Sequence, residues 1–102
     1  MKDPMKMLRQ VQQMQDKMTK VQTELETETV EATSGGGAVK VVATGTQKLV
    51  SVTIDPEAAS DTEMLQDLVV AAVNDAMEKS KALAAHKMQA VASGLGLPPG
   101  LV

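Results

Sequence analysis

Residues 30–54 read VEATSGGGAVKVVATGTQKLVSVTI, and this stretch decides the fold. It holds three short runs rich in Val, Ile and Thr, divided by two glycine-containing reversals. β-Branched side chains suit a pleated, half-buried surface, and successive residues of a strand point to opposite faces. In the first run, which begins somewhere after Leu25, Thr29, Glu31 and Thr33 share one face and Val30 and Ala32 the other. The second, Ala38 to Thr44, sends Val39, Val41 and Ala43 inward and Lys40, Val42 and Thr44 to the reverse. The third, Leu49 to Ile54, sets Val50, Val52 and Ile54 against Leu49, Ser51 and Thr53. Val42 and Leu49 leave the reverse face only partly polar, which suggests some cover there, for example from a partner subunit.

Ser34-Gly35-Gly36-Gly37 reads as a hairpin turn, since glycine accepts positive φ without steric cost. A phosphate cradle would need a following Gly-Lys-Ser/Thr and a helix N-terminus, and neither comes next. Thr44 to Lys48 is the second reversal, and Asp55-Pro56 ends the pairing because proline cannot donate to a ladder. Three strands lie near the lower limit of a stable sheet, and an open edge invites another chain. A second copy related by a twofold axis would answer both difficulties.

Long helical patterns flank the meander. Pro4 suits a first helical turn with Asp3 as its cap. Met7, Val11, Met14, Met18, Val21 and Leu25 then recur at spacings of four and three, a heptad-like seam widened by Met5 and Leu8. Asp16 and Lys20, and Lys20 and Glu24, stand four apart, the spacing of helical ion pairs. After a short linker at Glu57 to Ser60, Ser60 and Glu63 have capping-box spacing, with Asp61 and Glu63 as first-turn acids. Leu65, Leu68, Val69, Ala72, Val73, Ala76 and Met77 form a wide apolar face suited to covering a sheet. The pattern thins toward Leu83, Ala84, Met88 and Val91. An unbroken helix to Ala92 is about 45 Å long, so its far half must project, break or pack on the first helix. The fold class is therefore α+β: long N-terminal helix, three-stranded antiparallel meander, long C-terminal helix. Residues 1–92 form a single domain, and 93–102, with three Gly and two Pro from Ala92 onward, a flexible tail.

Composition excludes much chemistry. The 102 residues include no Phe, Tyr, Trp or Cys, eight Met and one His. No cysteine means no disulfide, thiol nucleophile or thiolate metal site. His86 sits between Ala85 and Lys87 in a helix as a surface residue, and the serines lack a nucleophile elbow. No catalytic residue, metal ligand or cofactor site is expected, no small-molecule substrate, and no enzyme. The charged N-terminus and the lack of a long apolar run argue against a signal peptide and a membrane span.

The formal charge of −3 hides a segregation. Residues 1–20 carry five basic and two acidic groups, 21–78 two and eleven, and 79–102 three and none. Basic ends around an acidic middle can steer a polyanion to particular places. Lys6, Arg9, Lys17 and Lys20 lie in the first helix and Lys79, Lys81 and Lys87 in the second. Side-by-side packing of the helices would make a basic end on each subunit. Phosphate contacts of that kind position a protein without reading bases. Without aromatic rings, stacking on unpaired bases is unavailable.

The segments MLRQVQQMQDKM, SGGGAVKVVATG, VSVTIDPE, LVVAAVNDAMEKSK and GLGLPPG together resemble the YbaB/EbfC family of bacterial nucleoid-associated proteins, across essentially the whole chain. The resemblance implies a tweezer-like homodimer, with the strands as a joined body and the helices as arms. It implies binding of double-stranded DNA with limited sequence preference, location in the cytoplasm and nucleoid, and roles in nucleoid organisation and gene regulation. The family's contact to DNA through the arms falls here on Lys6, Arg9, Lys17, Lys20, Lys79, Lys81 and Lys87. The expected function is thus a homodimeric duplex-binding protein that bends or bridges DNA. The alternative is a dimeric scaffold or adaptor that holds another protein through its Met-rich seam.

Overall fold

A computed structural model describes residues 3–94. Helix α1 (Pro4–Thr27) leads into strands β1 (Thr29–Ser34), β2 (Val39–Thr44) and β3 (Leu49–Ile54), and helix α2 (Thr62–Gly94) follows. The molecule is a rod, 69 × 21 × 15 Å. Its architecture is the one the periodicities predict: two long helices around an antiparallel meander in the order β1-β2-β3.

Both helices start where the sequence supplies a side-chain acceptor. The Asp3 carboxylate accepts the Met5 N–H at 3.0 Å, with proline in the first turn. At α2 the cap is Asp61, whose carboxylate accepts the Met64 N–H at 3.1 Å. This corrects the expectation of a Ser60 cap. Ser60 belongs to a preceding 3₁₀ turn, Ala58–Ser60, and its hydroxyl donates to the Glu57 carbonyl instead.

The register explains which residues are buried. Ala32 pairs with Val41 and Val41 with Val52, so one face carries Ala32, Val39, Val41 and Ala43. Helix α2 lies across that face over β1 and β2 and buries it with Ala72 and Ala76. Alanines on both sides allow close approach, and Leu65, Leu68, Val69, Val73 and Met77 fill the margins. Val39, Val41 and Ala43 are fully buried. A core without aromatic rings works here because the two layers meet at short side chains.

β3 differs. All six of its residues are exposed, because α2 lies mainly over β1 and β2. Val52 and Ile54 share the face of Val41 and Val39, as alternation predicts. Val42 pairs with Ser51 but Ala43 pairs with Leu49, which leaves Val50 as an extra residue. This β-bulge brings Leu49, expected on the reverse face, opposite Ala43. Alternation fails there because the extra residue shifts its phase by one position.

One reversal, residues 44–48, ties three elements together. The Gly45 N–H lies 2.9 Å from the carbonyls of both Leu25 and Glu28, at the end of α1. A Cβ on Gly45 would stand 2.6 Å from Leu25 Cδ2 and 3.1 Å from the Leu25 carbonyl oxygen, so only glycine fits without a shift. On the other side, the buried Ser80 hydroxyl of α2 donates to the Thr44 carbonyl at 2.6 Å. It also accepts from the backbone N–H and side-chain amide of Gln47. Gln47 adopts φ of 61°, a left-handed conformation that these two bonds hold in place. In the first reversal Gly35, Gly36 and Gly37 all have positive φ, as the triple glycine predicts.

Helix α2 is unbroken for 33 residues. Of the three possibilities for its far half, packing on α1 is the one realised. Val21, Leu25 and Val91 are buried in this seam, with Met18, Leu83, Ala84 and Met88 beside them.

Candidate nucleic-acid interface

Val91 of α2 packs on Val21 of α1, while Lys87 reaches Glu24 and Glu28 nearer the body. The helices are thus antiparallel, and the seam sets Lys87 of α2 beside Lys17 and Lys20 of α1. Glu31 lies in β1, Asp55, Glu57 and Asp61 in the connection to α2, and Glu63, Asp67, Asp75 and Glu78 in the first half of α2.

An open groove of about 480 Å³ runs along the seam, lined by Lys17, Lys20, Val21, Glu24, His86, Lys87, Ala90 and Val91. Three of the seven expected contact residues, Lys17, Lys20 and Lys87, meet there, but they are not equivalent. The Lys87 ammonium pairs with Glu24 at 3.3 Å and also with Glu28. Its pKa is raised chiefly by the hydrogen bond to Glu28; burial opposes that rise, and Glu24 adds to it. It remains charged at neutral pH, yet two carboxylates already neutralise it. Lys87 acts as a clasp between the helices.

Lys17 and Lys20 form no ion pair with a described residue. The helical pairs expected for Lys20, with Asp16 and Glu24, are not made, because Glu24 turns across the seam to Lys87. That leaves Lys20 available to another anion. Lys6 and Arg9 are exposed on the outer part of α1, also without an ion pair among the described residues. Lys81 is exposed on α2, next to the buried Ser80. Lys79 stands apart: it pairs with Asp75 at 3.6 Å and donates to the Glu31 carbonyl at 2.9 Å, which fastens it to β1.

The sequence reading set His86 aside as a surface residue. It is exposed, but it faces the groove beside Lys17 and Lys20. Only the pairing of the helices reveals that neighbourhood, and no linear motif carries it. Among the described residues no three His, Cys, Asp or Glu side chains gather to hold a metal ion, and no helix is long and apolar enough to cross a membrane.

A model of the YbaB/EbfC DNA-binding family matches residues 1–95. The chain belongs to that family. It is 44% identical to a nucleoid-associated protein of Dictyoglomus turgidum over 99% of both chains. It is 53% identical to a nucleoid-associated protein of Desulforamulus reducens over 91% of this chain and 90% of the other. The crystal structure of an uncharacterized protein from Helicobacter pylori matches with a TM-score of 0.63 at 25% identity, covering 71% of this chain and 86% of that one. The YbaB/EbfC proteins are DNA-binding proteins without enzymatic activity, and this chain is not an enzyme.

Proposed function

We propose that the protein is a nucleoid-associated protein that binds duplex DNA as a homodimer in the cytoplasm, gripping phosphates with its helical arms. The observation that carries this is the seam, which gathers Lys17, Lys20 and His86 around one groove with no carboxylate among the described residues spent on either lysine. Lys6 and Arg9 extend the same basic stretch along α1. The names of the bacterial relatives support the nucleoid as its location.

Two copies join, in this reading, through the exposed side chains of β3. Leu49, Val50, Val52 and Ile54 are 48%, 58%, 42% and 37% exposed, four large apolar side chains within one short strand. The joined bodies hold two arms at a fixed spacing, which lets them contact separated phosphates, alter the path of the duplex and so influence gene expression.

Backbone contacts give an affinity that falls with salt, by a slope of about 0.9 for each phosphate neutralised. A salt-titrated mobility shift on duplex DNA therefore tests the reading. Lys17→Ala/Lys20→Ala weakens binding and flattens the slope by roughly two per arm pair engaged. Lys79→Ala/Lys81→Ala has the smaller effect, since Lys79 is held by the body. Both variants remain dimeric. Unchanged affinity and slope in Lys17→Ala/Lys20→Ala overturns the assignment of the groove.

A further inference from the structure

The chain holds one histidine, and the antiparallel seam sets it in a groove with two lysines of the other helix. His86 is exposed on α2, as are Ala82 and Ala90, one turn to either side. Residues three and four apart are neighbours on a helix surface. Those of His86 are Ala82, Leu83, Gln89 and Ala90, none of them charged. Alanine on both sides keeps long side chains away from the imidazole.

The charged groups around it come from both helices. α1 contributes Lys17, Lys20 and Glu24 to the lining of the groove, and α2 contributes Lys87. Glu24 is the one carboxylate in that set, and its Oε1 already holds the Lys87 ammonium at 3.3 Å. Glu28 is bound to Lys87 as well. Asp16 and Glu26 on the α1 side, and Glu78 and Lys81 on α2, do not line the groove. Among the described residues, therefore, no carboxylate pairs with His86, and Lys17 and Lys20 beside it make no ion pair either.

Histidine changes charge between about pH 5 and 8, and an anion within reach favours the charged form of a titrating base. A phosphate seated between the helices supplies the counter-charge that no carboxylate of the described residues supplies. Anion binding and proton uptake are then linked, each promoting the other.

We propose that His86 is a third phosphate-binding residue of the groove and takes up a proton as duplex DNA binds. The proposal rests on the reading of the groove as the DNA contact. Lys17 and Lys20 give a constant attraction, since lysine is charged throughout the neutral range. His86 adds one that grows as pH falls, while Lys87 stays on its two carboxylates.

Fluorescence anisotropy of a labelled duplex at constant ionic strength tests this at about pH 6 and about pH 8. The unaltered chain binds at least about threefold more tightly at the lower pH, with a salt slope steeper by up to about one for each arm engaged. His86→Gln keeps the weaker affinity at both pH values, and His86→Arg keeps the tighter one. Helical content is the same in both variants, because His86 is exposed. By NMR the imidazole signal is unambiguous in a chain with one histidine, and its titration moves to higher pH when duplex is added. A flat profile in the unaltered chain overturns the proposal. So does pH dependence that persists in His86→Gln, or an imidazole titration that duplex leaves in place. If Lys17→Ala/Lys20→Ala weakens binding while His86→Gln keeps the profile of the unaltered chain, the groove stands and the role of His86 falls. If Lys17→Ala/Lys20→Ala changes nothing, both fall together.

Discussion

β2 and β3 are neighbours of equal length and similar composition, yet they meet opposite fates. Val39, Val41 and Ala43 of β2 are 0% exposed, whereas Val52 and Ile54, their register mates on the same face, are 42% and 37% exposed. Propensity cannot distinguish the strands. What differs is that one helix covers two strands and leaves the third. The sheet is therefore finished on one side and open on the other, and the open side is the joining surface of the proposed dimer.

The strongest way to break this comparison is to place a charge on each strand. Val41→Asp buries an unpaired carboxylate beneath α2 and destabilises the chain by more than about 4 kcal/mol. Loss of helical circular dichroism in denaturant titrations checks it. Val52→Asp, its register mate, leaves the helices formed and weakens association at least about hundredfold, near 2.7 kcal/mol. Sedimentation over a range of concentrations reads that outcome, and an intact dimer would show that β3 is not the joining surface.

Two smaller effects sharpen the comparison by disturbing what holds the helices over β1 and β2. Gly45→Ala forces a methyl group into Leu25 and the end of α1, a strain of about 1–3 kcal/mol, measurable as a lower denaturation midpoint. Lys87→Met removes the clasp at the seam and lowers the melting temperature modestly. Because the folded state raises the Lys87 pKa, chiefly through Glu28, the clasp contributes fully at neutral pH. Its contribution is lost on the alkaline side, as pH rises through the raised value. The gap between variant and parent consequently narrows above the ordinary lysine range and is constant around neutral pH.

Most of the fold was legible because each element carries its own period. Val39, Val41 and Ala43 alternate, and Leu65 to Met77 repeat as a helix face, so burial followed directly. The departures have local causes. Asp61 displaced Ser60 as cap because a 3₁₀ turn had already engaged Ser60. The bulge at Val50 leaves no trace in a run of alternating β-formers. At the groove, the gathering of Lys17, Lys20 and Lys87 was foreseeable from side-by-side helices. The standing of each was not, since Glu24 could pair with Lys20 in its own helix or with Lys87 across the seam. Geometry decides in favour of Lys87, and it also attaches Lys79 to β1 and brings His86 to the groove.

The attachment of both helices to the reversal at residues 44–48 has a mechanical consequence. Gly45 fixes the base of α1 through Leu25, and Ser80 fixes α2 to the same few residues. From Leu25 to Pro4 the arm is a lever of about 32 Å, so a tilt of roughly 5° at its base moves the tip by roughly 3 Å. In the proposed DNA-binding dimer, the width of the grip is therefore set at a loop remote from the groove that holds Lys17 and Lys20.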